Sequence, residues 1–301
     1  MRSVKDRIVI ITGASSGIGE ATARRLAREG AVVILAARRR ERLERLAEEL
    51  TASGGRALAV PTDITVEADR HHLVERAMET YGRIDALINN AGYGQRGPIE
   101  GVPIEAIRQN FETNLFALIA LTQLVIPILR AQGSGRIVNV SSVAGRIARP
   151  FSAVYDATKH ALEAISDGLR GELAPFGIQV IVIEPGFIQT EFLRVADEVS
   201  RPALERSQPY APFLADLDRR YERLRRWAGR PEDVAAVILR ALTAAHPRPR
   251  YAVPGHARAL LALKRWIPDH LFDALLRRQM GLVRRRPGDH GHLLPLDGRH
   301  A

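Results

Sequence analysis

The sequence predicts an α/β protein: a doubly wound parallel sheet of about seven strands with a helical C-terminal extension. Three observations carry this. Short apolar runs alternate with helix-patterned stretches six times between residues 8 and 190. These runs are apolar at successive positions, as in strands covered on both faces. The first of them passes through a glycine-rich turn straight into a helix.

Residues 8–12, IVIIT, form the first strand, followed by GASSGIG and the helical stretch ATARRLAREG, which Gly30 ends. The glycines are spaced Gly13-x-x-x-Gly17-x-Gly19. Gly13 permits the tight turn, Gly17 lets backbone approach a pyrophosphate, and Gly19 lets the helix pack close to the sheet. Free N–H groups at the helix start then face the phosphates. AVVILAA (31–37) is the second strand. An acidic residue near its end would bond a ribose 2′-hydroxyl, but Arg38, Arg39 and Arg40 stand there instead. Arginine matches a phosphate with two parallel hydrogen bonds, which favours NADP(H) over NAD(H), with Arg38 the first candidate and Arg39 the second.

RALAVPTDI (56–64) is the third strand. Asp63, just past its end, either accepts from an adenine amino group or starts the next helix. VEADRHHLVERAMETYG is that helix, and IDALINNAG is the fourth strand. Asn89-Asn90-Ala91-Gly92 ends it with small polar residues, where open α/β sheets bind ligands. PIEAIRQNFETNLFALIALTQLVIPIL (103–129) reads as one long apolar helix interrupted by Asn114. Its amide is either satisfied by backbone or holds a water for a proton relay. RIVNVSS is strand five and IQVIVIEPGFIQT (178–190) strand six, with Pro185-Gly186 at its end and Thr190 beyond.

Between those two strands lies a helix over Val154–Ala174 in which Tyr155 and Lys159 are four apart and share a face. A phenol beside an ammonium is suited to proton transfer, and the positive charge is expected to lower the tyrosine pKa. Ser142 lies thirteen residues upstream of Tyr155, at a strand end that the next helix start can meet.

These residues resemble the short-chain dehydrogenase/reductase family. TGASSGIG (12–19), NNAG (89–92), Asn114, VSS ending in Ser142, YDATK (155–159) and PGFIQT (185–190) fall in that family's order and spacing over about residues 5–255. The resemblance implies a Rossmann-like sheet of order 3-2-1-4-5-6-7 and a bound NAD(P). It implies Tyr155 as general acid/base, Ser142 as the group polarising the carbonyl or hydroxyl, Lys159 as the group lowering the Tyr155 pKa and holding the nicotinamide ribose, and Asn114 as the anchor of a relay water. The cofactor-binding set is then Gly13, Ser15, Ser16, Gly17, Ile18, Gly19, Arg38, Arg39, Asp63, Ile64, Asn90, Ala91, Gly92, Tyr155, Lys159, Pro185, Gly186, Ile188 and Thr190. Asp156 and Thr158 depart from the pattern, standing where the family often has small residues.

Residues 191–230 break the alternation, and the resemblance makes them a lid over the substrate. Tyr210, Phe213, Leu214, Tyr221 and Trp227 line an apolar pocket there or form the lid's own small core. The substrate contacts expected are Tyr93, Gln95, Ser142, Val143, Phe187, Tyr210 and Phe213. PEDVAAVILRALTAA (231–245) is a helix with proline in its first turn, and PRYAVPG is a last strand.

The dinucleotide-binding and catalytic unit is expected over 1–255, and a basic amphipathic extension with a mobile tail over 256–301. The extension reads as two helices broken before Pro268. It docks on its own protein, lies on a membrane surface through 256–286, or joins subunits. It loosely resembles the branch of the family that handles steroids, retinoids and other lipid-like alcohols.

The chain has 301 residues, 46% of them hydrophobic and 26% charged. No cysteine is present, which excludes disulfides and thiol catalysis. The nine histidines make no metal-ligand spacing, so no metal is expected. The net charge of +10 comes from arginines interleaved with glutamates, as in RRRERLERLAEEL, so a solvated surface is favoured and no nucleic-acid partner is expected. No run of about eighteen apolar residues is evident, and the first strand leaves no room for a signal peptide, so the expected location is cytoplasmic. A homodimer or homotetramer is expected by analogy. The activity implied is NAD(P)(H)-dependent interconversion of an alcohol with a ketone or aldehyde, on an apolar, lipid- or steroid-like substrate. The alternative is a non-catalytic nucleotide sensor or scaffold on the same fold.

Overall fold

Seven strands form one parallel sheet in the order β3-β2-β1-β4-β5-β6-β7. They are β1 (Ile8–Thr12), β2 (Val32–Ala37), β3 (Arg56–Pro61), β4 (Ala86–Asn89), β5 (Gly135–Val140), β6 (Ile178–Pro185) and β7 (Arg250–Val253). The computed structural model describes residues 2–214 and 227–282. Tyr221 and the tail from 283 onward lie outside the described residues.

The period-two geometry of a strand explains the two cores. In β1, Val9 and Ile11 face one side while Ile8 and Ile10 face the other. In β2, Val33 and Leu35 face the first side while Val32, Ile34 and Ala36 face the second. The first layer is covered by α1 (Gly17–Arg28), α2 (Arg40–Ala52) and, later in the chain, the helix Pro231–Thr243, through Leu26, Leu43, Leu46, Val234, Ile238 and Leu242. The second is covered by α3 (Glu67–Tyr81), α5 (Ala117–Ala131) and α6 (Ala153–Leu173), through Leu73, Leu121, Val125, Leu129 and Leu173. Strand order reverses beside β1, so a cleft opens outside the carboxyl ends of β1 and β4.

The stretch expected as one helix over 103–129 runs continuously from Ile104 to Ala131 but changes pitch: α4 (Ile104–Phe111) passes through a π-helical segment, Glu112–Phe116, into α5. Asn114 sits inside that segment, fully buried. Wider turns of this kind let a helix carry one extra residue and turn a polar side chain inward. The 28 residues from Ile104 to Ala131 contain an eighteen-residue window apolar enough to cross a membrane by length and composition. Leu121, Val125 and Leu129 are instead packed on the sheet, so this is a core helix of a layered fold.

After β6 come α7 (Phe192–Glu205), α8 (Pro231–Thr243), α9 (Gly255–Trp266) and α10 (Asp269–Gln279). The last two are the helix pair expected in the extension, broken at Ile267-Pro268. The extension packs back on the protein at two places. Ala257 and His256 lie where a Cβ on Gly186 would be, at 3.2 and 3.3 Å. Met280 and Leu282 join Phe151, Phe187, Tyr210, Phe213 and Leu214 in a small apolar cluster.

Candidate active site

The glycine-rich turn is built as its spacing implies. Gly17 has φ +58°, which side chains rarely adopt, and a Cβ there would stand 2.9 Å from the Thr190 methyl. A Cβ on Gly19 would stand 2.3 Å from the Gly13 carbonyl oxygen. No side chain caps the start of α1, and Ser16, Gly17 and Ile18 there line the cleft. The Asn90 amide donates to the Thr12 and Gly13 carbonyls at 2.9 and 3.3 Å, and Thr12 Oγ1 accepts from the Asn90 and Ala91 N–H groups at 2.9 and 3.0 Å. The second polar loop therefore clamps the first.

Arg39, rather than Arg38, is the guanidinium that reaches this turn. It donates to Ser15 Oγ at 3.0 and 3.1 Å, to Ser16 Oγ at 2.7 Å and to the Glu191 carboxylate at 2.8 Å. Arg42 donates to both oxygens of the same carboxylate, at 3.0 and 3.1 Å. Arg38 lines the cleft close enough to Asp63 to help stabilise its charge. Asp63 accepts from Thr65 N–H and Thr65 Oγ1 at 3.0 and 2.7 Å, so it holds the turn that leads into α3. Burial would raise its pKa, but the Thr65 bonds and Arg38 outweigh that and hold it below the usual carboxylate range.

Ser142, Tyr155 and Lys159 come together on the cleft wall. Ser142 Oγ accepts from Ala144 N–H at 3.1 Å, donates to the Pro185 carbonyl at 3.3 Å, and is within hydrogen-bonding reach of the Tyr155 phenol. The expectation that Lys159 draws down the Tyr155 pKa is reversed. Burial pushes the phenol up to about 12, ahead of the lowering by Arg149 and Ser142. Burial also pulls the Lys159 ammonium down to about 8, with Glu163 acting the other way. The reason is geometric. Lys159 Nζ donates to the Val140 carbonyl at 2.9 Å and lies over the Tyr155 ring, 5.8 Å from its centre, and both buried groups lose hydration.

The Asn114 side chain is bonded on both its oxygen and its nitrogen. Its Oδ1 accepts from Tyr93 N–H at 3.0 Å, and its amide donates to the Tyr93 carbonyl at 3.0 Å and Thr158 Oγ1 at 3.1 Å. It ties the β4 loop to α6. The two departures from the family pattern have visible tasks. Thr158 takes that Asn114 bond and donates to the Tyr155 carbonyl. Asp156, fully buried, is gripped by Arg149 through its backbone N–H at 2.7 Å and its guanidinium at 2.6 and 3.1 Å. This holds the loop after Ser142 against α6.

The cleft has a volume of about 540 Å³. Ile18, Ile64, Gly92, Gly186, Ile188 and Thr190 line it with the turn, as do Tyr93, Gln95, Val143 and Phe187 of the expected substrate contacts. Tyr210 and Phe213 do not line it. They belong to the apolar cluster with Phe151 and Met280, where the Phe151 and Tyr210 rings meet edge-on at 5.8 Å. Among the described residues the cluster reaches the cleft through Phe187, and the core that Tyr210 and Phe213 join is shared with Phe151 and with the extension rather than being the segment's own. The cleft's apolar cover is instead the first turns of α7: Phe192, Leu193, Val195 and Ala196. Sequence reasoning passed over these, the aromatic Phe192 included; the amphipathic spacing of FLRVADEVS is the signal that could have found them.

Comparison with known proteins agrees with this geometry. A family model described as short chain dehydrogenase matches residues 7–200. "Uncharacterized oxidoreductase YusZ" of Bacillus subtilis (strain 168) is 35% identical over 281 residues, 91% of this chain and 98% of that protein. "NADPH-dependent 3-dehydrocapnine reductase" of Ornithobacterium rhinotracheale is 33% identical over 280 residues, 91% and 97% of the two chains. Among solved structures, a short chain dehydrogenase/reductase from Burkholderia phymatum in complex with NAD superposes with a TM-score of 0.78 at 28% identity, covering 88% of this chain and 95% of that one.

Proposed function

This chain belongs to the short-chain dehydrogenase/reductase family, an oxidoreductase family, and we propose that its own reaction is NADP(H)-dependent interconversion of an alcohol with a ketone or aldehyde on an apolar, lipid-like substrate. One observation carries the reading: Ser142 and Tyr155 share a cleft wall with Lys159 beside a glycine turn whose outer rim is the Arg39 guanidinium. The residues present fit a dinucleotide. The glycine turn leaves no room for a Cβ, the start of α1 offers free N–H groups, and Arg39, Arg42 and Ser15 can hold a phosphate on the adenosine ribose. The NADPH dependence named for the Ornithobacterium relative supports that preference.

The nicotinamide, when bound, supplies or accepts the hydride. In the direction of reduction, the Tyr155 hydroxyl donates a proton to the substrate oxygen and Ser142 steadies the charge that develops there. A phenol held at about 12 is protonated at neutral pH, the form this step requires. Lys159 keeps a cation within the same enclosure. The face formed by Phe187, Phe192, Leu193 and Val195 is apolar and suits an aliphatic chain.

The experiment is turnover by the Tyr155→Phe variant, followed by NADPH absorbance against ketones and aldehydes of increasing chain length. A loss on the order of 100-fold or more is expected; undiminished rates would remove Tyr155 from its role. We also propose that α9 and α10 rest on an anionic lipid surface. Leu263, Trp266, Leu271 and Leu275 are exposed there, Trp266 at 82%, beside Arg258, Arg265, Arg277 and Arg278.

A further inference from the structure

Glu191 stands at the junction of two functions. It closes the N-terminal end of α7, and its carboxylate reaches across to α2, where Arg39 and Arg42 hold it at 2.8 to 3.1 Å. The opposite edge of the Arg39 fork rests on the Ser15 and Ser16 hydroxyls of the glycine turn. A negatively charged group with two oxygens thus already occupies the arginine pair that the adenosine end of a phosphorylated dinucleotide would use. The next residue, Phe192, lies with its ring edge-on to Tyr155, centroids 5.5 Å apart. One peptide unit therefore joins the arginine pair to the cover of the catalytic tyrosine.

We propose that Glu191 is a displaceable latch: its carboxylate fastens the start of α7 to Arg39 and Arg42 until a ribose 2′-phosphate takes those guanidinium groups, which frees Phe192 from Tyr155. This rests on the NADP(H) reading above.

The physical terms favour exchange. The ion pairs are partly solvated, with Glu191 35% and Arg39 41% exposed, so they are weak and easily competed. A phosphate carries more charge and three acceptor oxygens for the same forks. The arginines hold the Glu191 carboxyl below its usual range, so it is ionised and competing throughout the neutral range. The far half of α7 has separate anchors: Ser200 Oγ accepts from Arg96 N–H at 2.7 Å, and Asp197 pairs with the Arg96 guanidinium. Release at Glu191 therefore loosens the first turns and leaves the helix attached. A ligand lacking the 2′-phosphate has no differential affinity for the unlatched state and would leave it closed.

The test uses the full chain and two adenosine fragments, 2′,5′-ADP and 5′-AMP, with calorimetry for affinity and hydrogen exchange for peptides covering Phe192–Glu205. Saturating 2′,5′-ADP is expected to raise exchange in the first turns of α7 several-fold, and 5′-AMP to leave it unchanged. In Glu191→Gln that exchange is expected to be raised without ligand, and 2′,5′-ADP to bind several-fold tighter while 5′-AMP binds as before. If 2′,5′-ADP binds more tightly than 5′-AMP but α7 exchange and the Glu191→Gln affinities do not move, the latch is overturned and the NADP(H) reading stands. If 2′,5′-ADP binds no tighter than 5′-AMP, both fall.

Discussion

The Phe192 ring meets the Tyr155 ring edge-on, with centroids 5.5 Å apart and planes inclined at 62°. Tyr155 is 8% exposed, and this contact sets the first turn of α7 against its ring. Replacing Phe192 with Ala should admit water to Tyr155 and bring its pKa from about 12 down toward the ordinary value of 10. The expected readout is an earlier tyrosinate absorbance step in alkaline titration, absent from the Phe192→Ala/Tyr155→Phe double variant. An unshifted step would mean that the surrounding loops, not Phe192, keep the phenol dry.

On the proposed NADP(H) reading, in which the fork takes the phosphorylated ribose, Arg39→Ala should weaken NADPH by about 10- to 100-fold and NADH by much less. Arg38→Asp should do less, since Arg38 faces Asp63 rather than Ser15. Fluorescence titration with both cofactors checks the order. Equal losses for NADPH and NADH in Arg39→Ala would assign the phosphate to another residue.

Glu184 gives a pH prediction. Burial and the neighbouring Glu163 raise its pKa from 4.5 to about 7, while Arg146 and Arg250 pull it back. The folded state therefore keeps a proton that the unfolded chain releases between those values. Its contribution to stability is whole below pH 4.5 and is lost as pH rises to 7. Glu184→Gln should flatten that slope and be more stable than the parent at pH 8, by roughly 1–3 kcal/mol. Arg250 would keep Glu163 at 2.9 Å as its partner. Urea unfolding at pH 4.5 and pH 8 reads the difference, and parallel pH profiles for the two proteins would refute it.

Gly19→Ala should abolish nucleotide binding or folding, since its methyl group would press on the Gly13 carbonyl, a backbone atom with nowhere to go. Gly171→Ala, where a Cβ would meet nothing within 4 Å, is the control and should be neutral or slightly stabilising. Thermal melts with and without NADPH distinguish the two. A Gly19→Ala protein that folds and binds normally would show that the turn can yield to a Cβ.

The lipid-surface proposal predicts that Trp266→Glu together with Leu263→Glu removes sedimentation with phosphatidylserine vesicles and leaves turnover of a water-soluble carbonyl intact. Retained sedimentation would reassign the exposed faces of α9 and α10.

The sheet was legible because β1 and β2 are apolar along their whole length, the later strands keep an apolar centre, and glycine or polar loops follow the strand ends; the strand order came from the family resemblance. The same regularity brought Ser142, Tyr155 and Lys159 together from sequence alone. What stayed hidden depends on distances between parts of the chain that are remote in sequence. Arg39 and Arg38 are adjacent, and only the fold shows which one turns toward Ser15. The sign of the Tyr155 pKa shift was lost for a related reason: a spacing of four reports a shared helix face, while burial and the choice of Val140 as the Lys159 partner come from the packing around it. Tyr210 and Phe213 read as pocket walls by size, yet their partners Met280 and Leu282 arrive from the far end of the chain.

The wide turn at Glu112–Phe116 has an evolutionary consequence. Each residue rotates a helix by about 100°, so losing one position there would restore ordinary pitch at the cost of swinging Leu121, Val125 and Leu129 off the sheet. Length variation in homologous chains should therefore avoid these five residues and gather in the loops that flank the helix.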